Sequence, residues 1–327
     1  MNKQRVLILG TDDVLGRRVA ETLAASDWAS PVALKAEGVD WGTMPIATVD
    51  GTTTDGEALA RAASNVDGIV VAVSGSPAVI RARAKSIFAH GGTLSQRIVH
   101  VSSMTVYGDA TGTIDESAPI GSALSPYAQA RVDSEEMARA HPNVVTLRPG
   151  CEYGPYCVPW SGRVARWLLA RRLGDLGARG DGICNLVYID DVVSAVSVAL
   201  RIDSLAGQTF NLAMPSPPTW NEYFIEFAKV LGAVPVRRIS KRRLQIETKL
   251  LAPPLKIIEI VARQLGVGAL PPPIPPSATA VFTQQIELIA TQATQQLETA
   301  WTPVDVGLRK TVQWVLSSEP KPGSSQA

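Results

Sequence analysis

Short apolar runs alternate with longer helical patterns over the first 150 residues, and few folds accommodate such an alternation. The first run, residues 6–9, is entirely apolar and is followed by Gly10, which is typical of a strand buried on both faces. Strands that alternate with helices form a parallel sheet with crossover helices, so we expect an α/β fold with a doubly wound sheet. The pattern predicts strands at 6–9, 32–34, 46–49, 68–73, 97–102, 144–147, 186–189 and 209–212, and helices at 15–25, 57–63, 77–89, 126–140 and 191–200.

The alternation weakens beyond residue 150, and after Pro215 helices and proline-rich connections replace it. We therefore expect a Rossmann-type sheet domain with a smaller C-terminal part over the carboxyl ends of its strands. The predicted boundaries are 1–150 with about 186–212 for the dinucleotide-binding domain, 151–185 and 213–316 for the substrate-binding part, and 317–327 for a flexible tail.

The composition excludes several classes of protein. The 327 residues include 31 Lys and Arg against 30 Asp and Glu, and the net charge of +1 argues against a nucleic-acid binder. The three cysteines form neither a disulfide framework nor a zinc-site spacing, so we expect no metal and a reducing, cytoplasmic compartment. We see no signal-peptide cleavage site and no run of the roughly 18 apolar residues that an integral membrane segment needs. An enzyme-sized cytoplasmic protein that acts on a small-molecule substrate is expected.

The segment between the first strand and the first helix has the context of a dinucleotide-binding turn. Gly10 would make the tight turn, Gly16 would let the helix pack close to the sheet, and free helix amides would face a pyrophosphate. Asp13 opposes this interpretation, because it adds a Cβ and a negative charge, and Asp12 or Asp13 could instead cap the helix without any ligand. The predicted cofactor contacts in this loop are Gly10, Thr11, Asp13, Val14, Leu15 and Gly16.

Lys35 closes the second predicted strand, where an acidic residue would bind the ribose 2′-hydroxyl of NAD. A cation at this position favours a 2′-phosphate, so NADP is slightly favoured over NAD as the cofactor. The alternative is an exposed lysine at a strand end with no ligand.

Several ordered segments resemble the extended short-chain dehydrogenase/reductase family, of the NAD-dependent epimerase/dehydratase type. They are RIVHVSSMTVYG at 97–108, YAQAR at 127–131, LRPGCEYGP at 147–155, VYIDD at 187–191, and WTP at 301–303 with Gly307, Leu308 and Trp314. The resemblance runs in order from residue 5 to about residue 315. It implies a Rossmann-type fold, a nicotinamide cofactor and a serine–tyrosine pair.

The resemblance implies that Ser103 holds the substrate oxygen and that Tyr127 is the acid/base group. Tyrosine has an ordinary pKa near 10, so a neighbouring cation must favour its phenolate. The family places a lysine four residues after the tyrosine, whereas this chain has Arg131. Arg131 could supply that charge, or it could pair only with Glu135 on an exposed helix face.

The chain departs from the family's cofactor contacts at Asp13, at Arg131 and at Thr52, which stands where an Asp usually lies near the adenine. It departs again after the fourth strand, where Val73 and Ser74 replace the usual small Ala pair. The remaining cofactor contacts that the resemblance implies are Ser74, Pro149 and Gly150. The implied substrate contacts are Met104, Cys151, Glu152, Tyr153 and Tyr156.

The substrate-side residues bear on the type of reaction. Met104 and Thr105 replace the Asp-Glu pair of the family's dehydratases, so dehydration is not expected. Cys151 stands where sugar-nucleotide enzymes often have an Asn, and a small buried hydrophobe is its commoner role. Glu152 could be a second acid/base group or an exposed loop carboxylate.

The resemblance also implies a homodimer through helices 77–89 and 126–140, and the first of these carries apolar residues that could form the contact: Ala78, Val79, Ala82, Ile87 and Phe88. The apolar segment 244–270 could be a lid, a membrane-surface helix or a core helix.

Three functions stay open from the sequence. The first is an NADP- or NAD-dependent oxidoreductase acting on a ketone or alcohol of a small or lipophilic substrate. The second is a nucleotide-sugar epimerase with tightly bound NAD, which residues 102–108 favour and Cys151 and Lys35 oppose. The third is a relative of the fold that has lost redox function and works by cofactor-independent chemistry or partner binding, which Asp13, Thr52 and Arg131 together favour. Dinucleotide binding separates the third function from the others.

Overall fold

The structure is a computed structural model that describes residues 3–35, 39–90, 96–247 and 274–318. Its centre is a seven-stranded parallel sheet in the order β10-β7-β5-β4-β1-β2-β3, which confirms the predicted α/β, Rossmann-type fold. These strands are β1 Gln4–Leu9, β2 Ala29–Leu34, β3 Ala47–Val49, β4 Gly68–Val71, β5 Arg97–Val101, β7 Val144–Pro149 and β10 Thr209–Leu212. The order reverses between β1 and β4, and ligands of such sheets bind in the crevice at this reversal.

Two small parallel sheets lie beside the central one. The first pairs β6 (Gly112–Ile114) with β11 (Ile286–Leu288), and the second pairs β8 (Cys151–Tyr153) with β9 (Leu186–Tyr188). The strand predicted at 186–189 therefore lies outside the central sheet. The chain leaves that sheet at Gly150, where a Cβ would lie 2.1 Å from the Asn185 carbonyl oxygen.

Helices cover both faces of the central sheet. Those of the sheet region are α1 Val14–Ala25, α2 Gly56–Ala63, α3 Pro77–His90, α4 Pro126–Arg139 and α6 Ile189–Arg201. The others are α5 Arg163–Leu169, α7 Trp220–Val230, α8 Lys241–Gln245, α9 Pro276–Val281, α10 Thr291–Gln296 and α11 Val304–Ser318. None of the helices in the described ranges is long and apolar enough to cross a membrane.

The first strand shows why its sequence is apolar throughout. Val6 and Ile8 belong to the hydrophobic cluster that includes α1 and α6, whereas Leu7 and Leu9 belong to the cluster that includes α2 and α3. Alternate side chains of a strand point to opposite faces, so both faces of β1 need apolar residues. In α1, Leu15, Val19 and Leu23 recur at four-residue spacing and form its buried face.

The larger cluster continues from the sheet into the C-terminal part, where the fully buried Trp167, Trp220 and Phe282 belong to it. The sheet part and the C-terminal part therefore share one hydrophobic cluster. Their division into two domains stays a prediction. Of the predicted tail, residues 317–318 end α11, and residues 319–327 lie outside the described ranges. At the start of the apolar segment 244–270, Leu244 is buried in α8. Most of that segment falls in residues 248–273, which lie outside the described ranges.

The structure corrects the argument for a dimer through α3. Ile87 and Phe88 are buried in the protein's own core, in the cluster shared with β1 and β2, so they cannot form an intersubunit surface. Ala78, Val79 and Ala82 are exposed on the same helix. The homodimer stays a prediction that rests on these three residues and on α4.

Candidate functional site

The candidate site lies at the carboxyl edge of the central sheet, where β1, β4 and β5 end side by side. Gly10 follows β1 with φ of 100°, a conformation that favours glycine, and a Cβ there would lie 2.3 Å from the Ala72 carbonyl oxygen. A Cβ at Gly16 would lie 2.2 Å from the Gly10 carbonyl oxygen. The turn and the first turn of α1 therefore keep the close approach that a dinucleotide-binding loop requires.

Asp13 occupies the N-terminus of α1. It is the N-cap residue, and its carboxylate accepts a hydrogen bond of 2.8 Å from the Val14 amide. Helix N-termini bind anions through such free amides, so this carboxylate takes one of the groups that a pyrophosphate would use. Asp12 instead forms an ion pair with Arg83 of α3 at 2.7 Å. The capping alternative raised by the sequence is thus what the structure shows for Asp13.

The loop as a whole fits a dinucleotide in shape and opposes it in charge. The glycine positions preserve the cradle, and Thr11, Val14 and Leu15 line the same turn with buried or half-buried side chains. Asp13 adds a negative charge at its centre. A bound dinucleotide would therefore have to overcome a local repulsion that a glycine at this position would not produce.

Tyr127 and Arg131 meet on α4, which Ser125 caps through a hydrogen bond from the Ala128 amide and which Pro126 begins. Their four-residue spacing places them one helical turn apart on the same face. The Arg131 Nε donates a hydrogen bond of 3.1 Å to the Tyr127 hydroxyl oxygen, and the guanidinium carbon lies 5.2 Å from the centre of the tyrosine ring. The cation thus directly contacts the predicted acid/base group.

Main-chain carbonyls at the strand ends hold Arg131 in this position. Its Nη1 donates hydrogen bonds of 3.0 Å to the Val73 carbonyl and 3.2 Å to the Val101 carbonyl, and the residue is only 6% exposed. The guanidinium therefore joins α4 to β5 and to the segment that follows β4, at the carboxyl edge of the sheet. A lysine has a single amino group and no planar fork, so it would present its donors to these acceptors in a different geometry.

The alternative pairing of Arg131 with Glu135 is wrong. Glu135 is buried and binds Arg148 of β7 instead, with an Arg148 Nη2 to Glu135 Oε2 distance of 2.6 Å. Burial alone would raise the pKa of the Glu135 carboxyl, but hydrogen bonds and charge from Arg148 hold that pKa below its usual range. Arg148 also donates a hydrogen bond of 2.9 Å to Tyr107. This network was not predicted, because Arg148 comes from a different element.

Ser103 follows β5 at the same edge of the sheet. It is half-buried and caps the short 3₁₀ helix Met104–Tyr107, with its hydroxyl oxygen accepting a 3.3 Å hydrogen bond from the Thr105 amide. That helix packs against α4, which carries Tyr127. The hydroxyl proton of Ser103 remains available to donate to a substrate oxygen, because the hydroxyl oxygen is the acceptor in the hydrogen bond from Thr105.

Glu152 lies in β8, immediately beyond the end of β7, and is half-buried. Burial and the negative charge of Asp13 raise its pKa from 4.5 to about 7, while the positive charge of Arg131 acts in the opposite direction. The charges of Asp13 at the start of α1 and of Arg131 in α4 therefore both act on the Glu152 carboxyl. An exposed loop carboxylate, the alternative raised by the sequence, is not what the structure shows.

The other predicted site residues occupy different environments. Lys35 is 73% exposed and lies 3.4 Å from Asp50, and Ser74 is half-buried beyond β4. Pro149 and Gly150 lie where β7 passes into β8. Among the predicted substrate contacts, Met104, Cys151 and Tyr153 are buried in the core, and Tyr156 is 56% exposed with its ring 5.3 Å from that of Trp314.

Two cysteines near the site are buried. Burial raises the pKa of the Cys151 thiol to about 12 and that of the Cys157 thiol well above its usual value, so both stay protonated near neutral pH. Across the described ranges, no three His, Cys, Asp or Glu residues are grouped as metal ligands would be.

Curated proteins with similar sequences include Protein YeeZ from Escherichia coli, which is 29% identical over 141 residues. This match covers 42% of the chain and 47% of YeeZ, so the chain spans about half the length of the curated relatives it matches.

Solved structures of enzymes with this fold cover nearly the whole chain. The UDP-glucuronic acid 4-epimerase of Bacillus cereus, in complex with UDP-glucuronic acid and NAD, has a TM-score of 0.72, 15% identity and coverage of 96% of this chain and 99% of its own. The dTDP-glucose 4,6-dehydratase of Bacillus anthracis, in complex with NAD, has a TM-score of 0.69, 18% identity and coverage of 97% of each chain. At these identities the likeness establishes the fold.

A family model establishes more than the fold. It describes the NAD dependent epimerase/dehydratase family and matches residues 6–213, which include the glycine turn, Ser103, Tyr127 and Arg131. This match extends over more than half of the sequence. The chain therefore belongs to the NAD-dependent epimerase/dehydratase family.

Proposed function

We propose that the protein is an NAD(P)-dependent oxidoreductase that interconverts a ketone and an alcohol on a small or lipophilic substrate. The observation that carries the proposal is the hydrogen bond of 3.1 Å from Arg131 Nε to the Tyr127 hydroxyl oxygen. It joins a cation to the one phenol that the family's chemistry requires at this position.

Ser103, Tyr127 and Arg131 have distinct roles in this proposal. The Ser103 hydroxyl donates a hydrogen bond to the substrate oxygen, and the Tyr127 hydroxyl gives it a proton in the direction of reduction. The guanidinium of Arg131 stabilises the phenolate that remains, and its bonds to two main-chain carbonyls fix its position before substrate binds. The dinucleotide, held by the glycine turn, supplies the hydride when bound. In the direction of oxidation, the phenolate accepts the proton from the alcohol.

The substrate-side residues favour simple oxidation and reduction over dehydration. Elimination of water needs a second acid/base pair, and Met104 and Thr105 supply neither acid nor base. Because the structural neighbours bind nucleotide sugars, epimerisation of a nucleotide sugar with bound NAD is the alternative within this family. Lys35 supports a preference for NADP, although Asp50 lies 3.4 Å from its amino group and offsets part of the charge.

A second candidate function is cofactor-independent chemistry or partner binding on the same fold. The Asp13 carboxylate at the N-terminus of α1 favours it, because this carboxylate opposes a pyrophosphate. The two candidates differ in their response to dinucleotides. A ligand at a hundred times its Kd adds about 2.7 kcal/mol to the free energy of unfolding, which raises the melting temperature measurably.

The test is a melting experiment on the purified protein with NAD, NADP and their reduced forms, followed by a panel of ketones and alcohols. We expect a rise in melting temperature with at least one dinucleotide. Tyr127→Phe should then lower turnover by about 10²–10⁴-fold while leaving the melting temperature unchanged. No rise with any of the four dinucleotides would refute the proposed redox function and support the second candidate.

Arg131 provides a further test of the same proposal. Arg131→Met should abolish most turnover and shift the pH–rate profile to higher pH, because the phenolate loses its counter-charge. Arg131→Lys should retain part of the activity, because it keeps a positive charge beside Tyr127. Arg139→Met is the matched control, since Arg139 is exposed at the end of the same helix. Full activity and an unshifted profile in Arg131→Met would remove Arg131 from the mechanism.

A further inference from the structure

We propose that a basic surface on the C-terminal part of the protein binds the surface of an anionic lipid bilayer. This basic face consists of the solvent-accessible side chains within residues 169–171 and 234–246. It includes none of the residues assigned to the site around Tyr127, so the proposal is independent of dinucleotide binding.

The charge of the basic face is strongly one-sided. Residues 231–246 include five Lys and Arg residues and no Asp or Glu, whereas the whole chain has 31 basic and 30 acidic residues. The excess of positive charge is therefore local, and the other residues together are net negative. The five cations, all exposed, are Arg237, Arg238, Lys241, Arg242 and Arg243.

Nearby acids neutralise little of this charge. Arg238 forms an ion pair with Asp175 at 2.6 Å, and 68% of the Arg238 side chain is still exposed. Among the residues that the structure describes, Arg237, Lys241 and Arg242 form no ion pair. Like charges held this close repel one another, and an anionic surface relieves that repulsion.

Hydrogen bonds fix the two segments of the basic face against each other. The Arg171 guanidinium donates hydrogen bonds of 3.0 Å to the Val234 carbonyl and 2.7 Å to the Pro235 carbonyl. The carbonyl of Arg171 in turn accepts a hydrogen bond of 3.0 Å from Nη2 of Arg243 in α8. The cations of the second segment therefore share one surface with the end of α5.

Exposed apolar side chains lie among these cations. The exposed fractions are 38% for Leu169, 49% for Val234 and 39% for Ile246. Val234 is hydrogen-bonded to Arg171, two residues after Leu169. Ile246 follows Arg242 by four residues at the end of α8, a spacing that puts both on one face of that helix. Cations and apolar side chains thus alternate on the basic face.

This combination distinguishes a bilayer from other anionic partners. Anionic headgroups attract the cations, and the boundary between headgroups and acyl chains accepts apolar side chains that protrude beside them. The phosphates of a nucleic acid match the cations, but they offer no apolar phase to Leu169, Val234 and Ile246. An anionic bilayer therefore matches both features of the basic face.

The first measurement is sedimentation of the purified protein with vesicles. We expect binding to phosphatidylcholine vesicles that contain about 30% phosphatidylglycerol, and little binding to phosphatidylcholine alone. The binding should be strong in about 0.05 M salt and lost in about 0.5 M salt, because salt screens exposed charges.

A three-residue variant tests the cations of the basic face. It combines Arg237→Gln, Lys241→Gln and Arg242→Gln, and its affinity for the anionic vesicles should be about 100-fold lower, since each cation near such a surface contributes about fivefold. The matched control loses the same formal charge at exposed positions of α1, α2 and α6 and should bind within about threefold of the natural chain. The control substitutions are Arg17→Gln, Arg61→Gln and Arg201→Gln.

A second variant, Leu169→Ser with Ile246→Ser, tests the apolar side chains. Its affinity for the anionic vesicles should be at least about tenfold lower, because it removes apolar area that enters the lipid interface. Its charge is unchanged, so its affinity for a polyanion without an apolar phase should be that of the natural chain. Duplex DNA is the polyanion used.

Three results would overturn the inference. The first is a natural chain that does not sediment with the anionic vesicles in low salt. The second is a control variant that loses as much affinity as the three-residue variant, because net charge rather than the basic face would then determine binding. The third is a Leu169→Ser, Ile246→Ser variant that binds vesicles as well as the natural chain, while the natural chain binds duplex DNA as tightly as vesicles. The basic face would then be a surface for polyanions.

Discussion

The replacement of Glu152 by glutamine tests the electrostatics of the site without any cofactor. In the fold, burial and Asp13 raise the pKa of the Glu152 carboxyl from 4.5 to about 7. In the unfolded chain the carboxyl titrates near its ordinary value. A rise of this size corresponds to at most about 3.5 kcal/mol, since one pKa unit is worth about 1.4 kcal/mol. Relaxation and partial hydration of a half-buried group reduce this, so we expect an effect of about 1–2 kcal/mol.

The sign of the effect follows from proton binding. Between pH 4.5 and about 7 the folded chain holds a proton on Glu152 that the unfolded chain has released, so this residue makes the fold less stable as the pH rises. Its stabilising contribution is complete below 4.5 and is lost by the time the pH has passed the folded-state pKa. Glu152→Gln removes this dependence, because an amide does not titrate. The variant should therefore be more stable than the natural chain at about pH 8 and equal to it at about pH 4.

The assay is unfolding by urea at several pH values, monitored by tryptophan fluorescence. Glu136→Gln, which removes an exposed carboxylate from α4, is the control and should give the same difference from the natural chain at every pH. The reasoning is refuted if Glu152→Gln and the natural chain keep a constant difference in the free energy of unfolding between the two pH extremes. It is also refuted if the variant is the less stable protein at the higher pH.

Three other substitutions test separate contacts. Asp13→Gly should lower the Kd of a dinucleotide in calorimetric titration, because it removes the carboxylate at the start of α1 while glycine remains an acceptable cap; a higher Kd would contradict this. Glu135→Gln should lower the free energy of unfolding by about 3–5 kcal/mol, because it leaves the buried Arg148 guanidinium without a counter-charge. A decrease of less than about 1 kcal/mol in the free energy of unfolding, measured in urea, would contradict this expectation. Light scattering should give the mass of a dimer for the natural chain, and a monomeric natural chain would exclude the dimer. Val79→Glu, on the exposed face of α3, should give a monomer. Met44→Glu, at an exposed site between β2 and β3, is the control and should remain a dimer.

The long and strongly patterned elements could be predicted from the sequence. The buried strand β1 and the helices α1, α3, α4 and α6 lie within one or two residues of their expected ends, because their apolar periodicity extends over several turns or over a fully buried run. The strands β6, β8 and β11 were not predicted. Each has three residues, which is too few for a period-two pattern to differ from chance.

Contacts between elements were less predictable than the elements themselves. Helical spacing identified Glu135 as a neighbour of Arg131, but spacing reports only which residues share a helix face. The partner of Glu135 comes from β7, and only the packing of α4 on the sheet reveals it. The same holds for the carbonyls of Val73 and Val101, since no sequence pattern records which main-chain oxygens lack partners at the end of a sheet.

Two departures of this chain from its family, Asp13 and Arg131, act electrostatically on the same carboxyl, that of Glu152. Asp13 and Glu152 add negative charge to the crevice, and Asp13 raises the pKa of Glu152. Arg131 acts on that pKa in the opposite direction and also donates a hydrogen bond to the Tyr127 hydroxyl oxygen. A lysine at this position would carry the same charge as a point charge on a flexible stem, without the planar fork. Arginine therefore keeps the positive charge beside Tyr127 through hydrogen bonds to the hydroxyl oxygen and to the Val73 and Val101 carbonyls.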